Sequence, residues 1–211
     1  MKQAMLAVAL CIALPACNKP QAEGDQAPAP VVAPTAETPP AETAPVDEAV
    51  AVPAPFSKTL ELQGITFKVD ESAGKLTVTP SGLETVNDPV SQDIAGHVTN
   101  AEVADLNADG SPEVYVFLRA GDDAHGGLVG YAANKRKSLS EIYLPPLAED
   151  VKNSKGYGGG DEFAVLENRI GQRFPIMGED GKPTGKTRQL QYRLEPGEAG
   201  WRLVLDRTTE Y

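Results

Sequence analysis

The sequence predicts an all-β domain, an antiparallel β-sandwich or barrel-like fold of about ten short strands, preceded by a disordered tether. Two observations support this. From residue 56 onward, short segments such as 59–63 and 65–69 alternate apolar and polar side chains, as half-buried strands do. Clusters of Gly, Pro, Asn and Asp separate these segments, at intervals typical of turns between neighbouring strands.

The candidate strands follow one another with few interruptions, at 59–63, 65–69, 76–79, 98–103, 114–118, 128–131, 163–166, 169–176, 189–194 and 201–205. The one weak helix candidate is 139–143, which Pro145 and Pro146 would end. The single tryptophan, Trp201, opens the last strand, a position that predicts a core residue under a hairpin. The glycine-rich stretch 157–161 predicts a turn, the alternative being a loop that contacts a partner.

Residues 1–16 have the pattern of a lipoprotein signal peptide. Lys2 supplies a positive charge, and the apolar run over 4–14 is too short for a membrane span. The run ends in Leu14-Pro15-Ala16-Cys17, which resembles the bacterial lipobox and implies cleavage before a lipidated Cys17. Asn18, in place of Asp, favours the outer membrane, so the domain is expected in the periplasm on a lipid anchor. The alternative is an ordinary secretory signal cut near Ala16.

Residues 17–55 predict a disordered linker that begins at the lipidated cysteine. The 38 residues from 18 to 55 include nine prolines and no aromatic residue, so they can neither propagate a helix or sheet nor build a core. Residues 56–211 remain for the β-rich domain. That length is enough for one ordinary hydrophobic core and too short for two.

Composition narrows the classes of function. The formal net charge is −11, which disfavours binding to nucleic acid because cationic side chains must displace phosphate counterions. The same charge favours encounter with a cationic protein, although it could also serve only solubility. Both cysteines precede residue 18, so the domain lacks disulfides, thiolate ligands and cysteine nucleophiles.

The sequence shows no catalytic motif. The only histidines, His97 and His125, are predicted to be surface or turn residues, and no nucleophile elbow, zinc-binding helix or phosphate-binding glycine loop is present. Carboxylates are plentiful, but no pair is singled out by its neighbours as a glycosidase pair would be. We therefore predict a protein that is not an enzyme and requires no cofactor.

One short segment has the spacing of a calcium loop. Asp105, Asn107, Asp109 and Glu113 place oxygen side chains at positions 1, 3, 5 and 9, with Gly110 at position 6, as a hard cation requires. The alternative is a metal-free hairpin, because Asp and Asn also bond their own backbone and Asp-Gly is itself a turn signal. The first alternative would make the protein a structural lipoprotein with a calcium-stabilised hairpin.

Several segments together resemble the periplasmic inhibitors of invertebrate-type (I-type) lysozyme. They are 59–65, 101–107, 137–147 with its Leu-Pro-Pro-Leu stretch, 187–192 and 195–201, and they span nearly the whole domain. The resemblance implies an antiparallel β-sandwich-like fold, no catalysis, and a hairpin loop that inserts into the active-site cleft of a lysozyme. The alternative is a non-catalytic periplasmic binding lipoprotein of the same fold with another ligand, such as a different lysozyme class or a cell-wall component.

The resemblance places the partner-binding loop at Gly121, Asp122, Asp123, Ala124, His125 and Gly126. In this family the loop carries a Ser-Gly-x-Tyr element between two apolar strands. Here Asp122, Asp123, Ala124 and His125 occupy those four positions, so the position is kept and the chemistry is changed. A lysozyme cleft holds two carboxylates, which would repel the aspartates unless the cleft offers Arg or Lys partners. A protonated His125 could pair with a cleft carboxylate instead.

Overall fold

A computed structural model describes residues 54–121 and 125–211, which form twelve β-strands and one short 3₁₀ helix. The strands are β1 Phe56–Leu62, β2 Ile65–Ser72, β3 Lys75–Ser81, β4 Val90–Asp93, β5 His97–Ala104, β6 Glu113–Ala120, β7 His125–Asn134, β8 Ser138–Tyr143, β9 Glu162–Leu166, β10 Arg169–Met177, β11 Pro183–Pro196 and β12 Trp201–Glu210, and the 3₁₀ helix is Leu147–Glu149. Within these ranges no helix has the length and apolarity needed to cross a membrane. The predicted signal peptide, Cys17 and nearly all of the predicted linker lie outside the described residues.

The all-β prediction is confirmed, and each of the ten predicted segments coincides with a strand, although Gln63 falls one residue beyond the end of β1. The helix predicted at 139–143 is wrong, because this stretch is β8. It pairs with β7 across a tight turn, from Asn134 opposite Ser138 to Gly130 opposite Ile142. Ile142 is buried in the core, so tertiary pairing overrides the weak local preference. The short, mostly polar strand β4 was also missed.

The strands form two sheets. The smaller has the order β1-β2-β3-β4, and the larger has the order β5-β6-β7-β8-β12-β11-β10-β9. Neighbours are antiparallel except β8 and β12, which run in the same direction and pair over only two residues, a departure from the predicted antiparallel fold. The larger sheet curls towards closure, since the backbone N–H of Val165 in β9 donates to Glu102 Oε2 in β5 at 3.0 Å.

Two hydrophobic cores follow from this arrangement. The first lies between the two sheets, and the second fills the inside of the curled sheet. Strand β6 contributes to both, because Val114 and Val116 face the first core whereas Tyr115 and Phe117 face the second. Burial on two faces explains why this segment is a continuous apolar run and does not alternate with polar residues. It also makes β6 a firm support for the hairpin that it begins.

Candidate functional site

The predicted partner-binding loop connects β6 and β7. These strands pair without interruption from Glu113 opposite Ala132 to Ala120 opposite His125, so the loop joins the ends of one antiparallel pair. Gly121 has a positive φ of 66°, a conformation that glycine adopts at little cost. Asp122, Asp123 and Ala124 lie outside the described residues. The structure thus places Gly121, His125 and Gly126 at the end of one hairpin.

His125 and Gly126, at the β7 end of this loop, form hydrogen bonds with the segment between the 3₁₀ helix and β9. His125 Nδ1 lies 3.1 Å from the hydroxyl oxygen of Tyr157, and the backbone N–H of Gly126 donates to Asp161 Oδ1 at 2.6 Å. The Tyr157 hydroxyl donates to the same Oδ1 at 3.0 Å. Because that hydroxyl has only one proton to give, its oxygen accepts the bond from His125.

Asp161 is the centre of this network. It is 1% exposed, and its Oδ2 accepts a bond from Gln172 Nε2 at 2.9 Å. Gln172 Oε1 in turn accepts the Tyr192 hydroxyl at 3.0 Å. The chain of bonds therefore runs from the base of the hairpin loop into the core of the curled sheet. A buried acceptor with three donors of this kind holds its surroundings in one arrangement.

Packing reinforces the hydrogen bonds. The Tyr157 ring lies 5.7 Å from the His125 ring and meets Phe174 edge to face at 5.0 Å, while the Arg188 guanidinium lies 5.9 Å from the centre of the Phe174 ring. Burial, and next the Asp161 carboxylate, raise the pKa of the Tyr157 hydroxyl, which keeps it a donor. A Cβ on Gly126 would lie 2.5 Å from the Asp161 carbonyl oxygen, so only glycine fits there.

Two sequence predictions gain detail here. The stretch 157–161 does more than turn the chain, since Tyr157 and Asp161 attach it to the predicted loop. His125, expected as a surface or turn residue, lies half-buried at the base of the hairpin and is bonded to Tyr157. No local signal could have revealed this, because 32 residues separate His125 from Tyr157 and 35 separate Gly126 from Asp161. His97 lies at the same end of the sheet, opposite Arg119.

The 105–113 loop, at the other end of β6, is closed by its own side chains and by Gln63 from the β1–β2 turn. Asp105 accepts bonds from the backbone N–H groups of Asp109 and Gly110 and from Gln63 Nε2, at 3.0, 2.9 and 2.8 Å. Asn107 Nδ2 donates to Asp109 Oδ2 at 2.9 Å. Such bonds between Asp or Asn side chains and the loop backbone are those on which the alternative to calcium, a metal-free hairpin, depends. Among the described residues, no group of three or more Asp, Glu, His or Cys side chains is placed to hold a metal ion.

Glu113, the predicted fourth calcium ligand, is almost completely buried at 1% exposure. Its Oε2 accepts the backbone N–H of Leu106 at 2.9 Å. Burial raises the pKa of the Glu113 carboxyl to about 8, and the nearby carboxylates of Asp105 and Asp109 contribute in the same direction. The protonated carboxyl therefore predominates at neutral pH, whereas calcium binding would require the ionised form.

Calcium binding stays a prediction with a direct test. If the ion binds, millimolar calcium should raise the melting temperature, and Asp109→Ala should abolish the rise. The expected stabilisation is about 2.7 kcal/mol at a hundredfold excess over the dissociation constant. Differential scanning calorimetry with calcium and with a chelator measures it, and Asp180→Ala, in an exposed hairpin loop elsewhere, is the matched control. Identical melting curves in the two buffers would leave the metal-free hairpin as the correct description.

The chain matches no protein-family model, no curated protein and no solved structure. What it binds must therefore be inferred from its own residues and their arrangement.

Proposed function

We propose that this protein is a lipid-anchored periplasmic inhibitor of I-type lysozyme that inserts its β6–β7 hairpin loop into the active-site cleft. The sequence segments that resemble this inhibitor family support the proposal. The observation that carries it is the attachment of the loop base to a buried acceptor, through the 2.6 Å bond from Gly126 to Asp161. A loop that is held before binding loses less conformational entropy when it enters a groove.

The charges of the loop define what the cleft must offer. Asp122 and Asp123 need Arg or Lys partners in the lysozyme, and His125 can pair with a cleft carboxylate when it is protonated. The net charge of −11 accelerates encounter with a basic lysozyme, and this effect acts on the association rate more than on the final affinity. Blocking the cleft protects peptidoglycan without any chemical step by the inhibitor.

Replacing Asp122, Asp123 and His125 together by alanine should abolish inhibition while the domain stays folded. Truncating one desolvated charged group at an interface commonly costs 2–5 kcal/mol, or roughly 30- to 5,000-fold in affinity. Inhibition of purified I-type lysozyme measures the effect, and far-ultraviolet circular dichroism checks the fold. Lysozymes of other classes, assayed in parallel, define the target.

The matched control is the hairpin loop between β10 and β11. Its Glu179, Asp180 and Lys182 are exposed and carry charges like those of the proposed loop, so their triple alanine variant should inhibit as the parent does. Tyr157 is unsuitable as a control because it bonds to His125. Full inhibition by the Asp122, Asp123 and His125 variant would exclude the loop. A parent that inhibits no lysozyme would favour the alternative, a binding lipoprotein of the same fold with another ligand.

The proposal includes a lipid anchor on Cys17 in the outer membrane. The Leu14-Pro15-Ala16-Cys17 sequence supports it, and several acyl chains would anchor the protein stably where one chain would not. The proline-rich linker would let the domain work at a distance from the membrane. Intact-mass measurement of the mature protein tests the anchor, because an unmodified Cys17 would refute it.

A further inference from the structure

Strand β12 loses its neighbour soon after it begins. Only Trp201 and Arg202 pair with β8, which ends at Tyr143. Pro145 and Pro146 follow, and proline has no backbone N–H with which to continue a sheet ladder. The chain therefore leaves the sheet at this point, while β12 runs on to its last residue.

Residues 203–207 of β12 are left with an unpaired edge. Strand β11 pairs with β12 along one side, but among the described residues no backbone hydrogen bond joins 203–207 to the segment that follows β8. The gap ends at Thr208, whose hydroxyl donates to Asn153 Oδ1 at 3.1 Å. A bulge at Asp206 interrupts the regular pairing of β12 with β11 within this stretch. At about 3.4 Å per residue, the five residues give an open edge of at most roughly 17 Å.

A slot of about 440 Å³ lies along this edge. Apolar residues line it on both sides, with Leu147 and Val151 from the segment after β8 and the half-buried Val204 and Leu205 from β12. Val151 is 82% exposed, which is unusual for a large apolar side chain beside an unpaired strand. Proteins normally cover or blunt such edges, because an unpaired edge can form hydrogen bonds with a strand of another chain.

We infer that this slot binds an extended segment of a partner protein as an added strand, with apolar side chains alternating with basic ones. An unpaired edge bonds the backbone of an extended chain, and alternate side chains of that chain then enter the apolar slot. Glu149 and Asp150 also line the slot, and Arg202 lies at the paired end, so a basic side chain fits beside the two carboxylates. Hydrogen bonds from Asn153 hold the pKa of Asp150 below its ordinary value. This surface is separate from the lysozyme-binding loop and does not depend on that function.

The test is a titration of the full chain with the end-blocked peptide Thr-Val-Lys-Val-Lys-Val-Thr. Backbone amide shifts of residues 203–207 and the fluorescence of Trp201, the only tryptophan, report binding at the edge. We expect both signals to change, and Val151→Lys to weaken binding at least tenfold, because it removes an apolar wall and repels lysine. Val86→Lys, at another exposed valine outside the slot, should bind as the parent does.

A second peptide of the same sequence, methylated on its five central backbone nitrogens, separates strand addition from simple apolar contact. It should bind at least tenfold more weakly, because it cannot donate to the β12 edge. The inference is overturned if residues 203–207 show no shift up to about 1 mM peptide, which corresponds to about −4 kcal/mol. It is equally overturned if the methylated peptide, or the Val151→Lys variant, binds as well as its parent.

Discussion

The free energy of unfolding of the parent protein is expected to fall by about 4 kcal/mol between pH 5 and pH 8. Replacing Glu113 with glutamine should abolish this fall. The unperturbed carboxyl titrates near 4.5, and burial raises the pKa in the folded protein to about 8. Each unit of difference is worth about 1.4 kcal/mol, and about three units lie within this range. Glutamine keeps an acceptor for the Leu106 N–H and has no charge to bury.

The direction follows from which state binds the proton. Below pH 4.5 the carboxyl is protonated in both the folded and the unfolded chain, and its contribution is at its most favourable. As the pH rises towards 8, the unfolded chain releases the proton while the folded chain retains it, so the free energy of unfolding falls. Above pH 8 the folded protein must hold an ionised carboxylate at 1% exposure, and the loss is complete.

Urea denaturation at several pH values, with a chelator present, measures this difference for the parent and for Glu113→Gln. Glu71→Gln makes the same substitution at another buried glutamate, one that accepts the Gly74 N–H, and therefore controls for exchanging a buried carboxyl for an amide. The interpretation fails if the parent and Glu113→Gln curves run parallel from pH 5 to pH 8. Added calcium should reduce the loss in the parent if the ion binds the 105–113 loop, because it favours the ionised carboxylate.

Replacing Asp161 with alanine is expected to destabilise the fold by about 4 kcal/mol and to release the base of the β6–β7 loop. Three donors, the Gly126 N–H, the Tyr157 hydroxyl and the Gln172 amide, would lose their acceptor in a buried position. Each such loss costs about 1–3 kcal/mol, and the separate costs are not fully additive. Asp88→Ala, at an exposed aspartate before β4, should change stability by less than about 0.5 kcal/mol.

Hydrogen exchange distinguishes release of the loop from general loss of stability. The Gly126 amide should lose protection in Asp161→Ala by more than the global change accounts for, whereas amides in β1 to β3 should follow the global change. Tyr157→Phe is a milder second variant, since it keeps the ring against Phe174 and removes only the hydroxyl. If the Gly126 amide in both variants stays as protected from exchange as the amides of β1 to β3, Asp161 does not hold the base of the loop. This readout does not require a lysozyme, so it remains valid if the proposed function fails.

Hydrophobic patterning was sufficient to predict most of the strands, because a half-buried strand requires apolar and polar residues to alternate along the sequence. The run at 114–118 was correctly predicted as a strand because β-branched and aromatic residues concentrate there. The pattern failed where pairing partners decide the structure. Ser138–Tyr143 became a strand because β7 lies beside it, and the parallel contact between β8 and β12 joins residues about 60 positions apart.

The candidate site shows the same division. The loop between β6 and β7 could be placed from the sequence, since Gly121, Gly126 and Gly127 separate two apolar runs. The bonds that hold it could not, because Tyr157 and Asp161 lie in a glycine-rich stretch that has no pattern of its own. The spacing of Asp105, Asn107, Asp109 and Glu113 suggested four oxygen side chains turned inward around a cation. The curled sheet instead buries Glu113, and no local rule predicts the pKa that results.

The sequence by itself determined an all-β domain, ten of its twelve strands and the hairpin that presents the loop, because these depend on contacts between near neighbours and on side-chain periodicity. Only the tertiary structure decided which surfaces meet. It brought Asp161 to the base of the loop, placed Glu113 inside the curled sheet, and left one edge of 203–207 in β12 without a strand partner among the described residues. Each of these three features depends on residues that are far apart in the chain. Their burial and pairing are fixed only when the sheets pack around them.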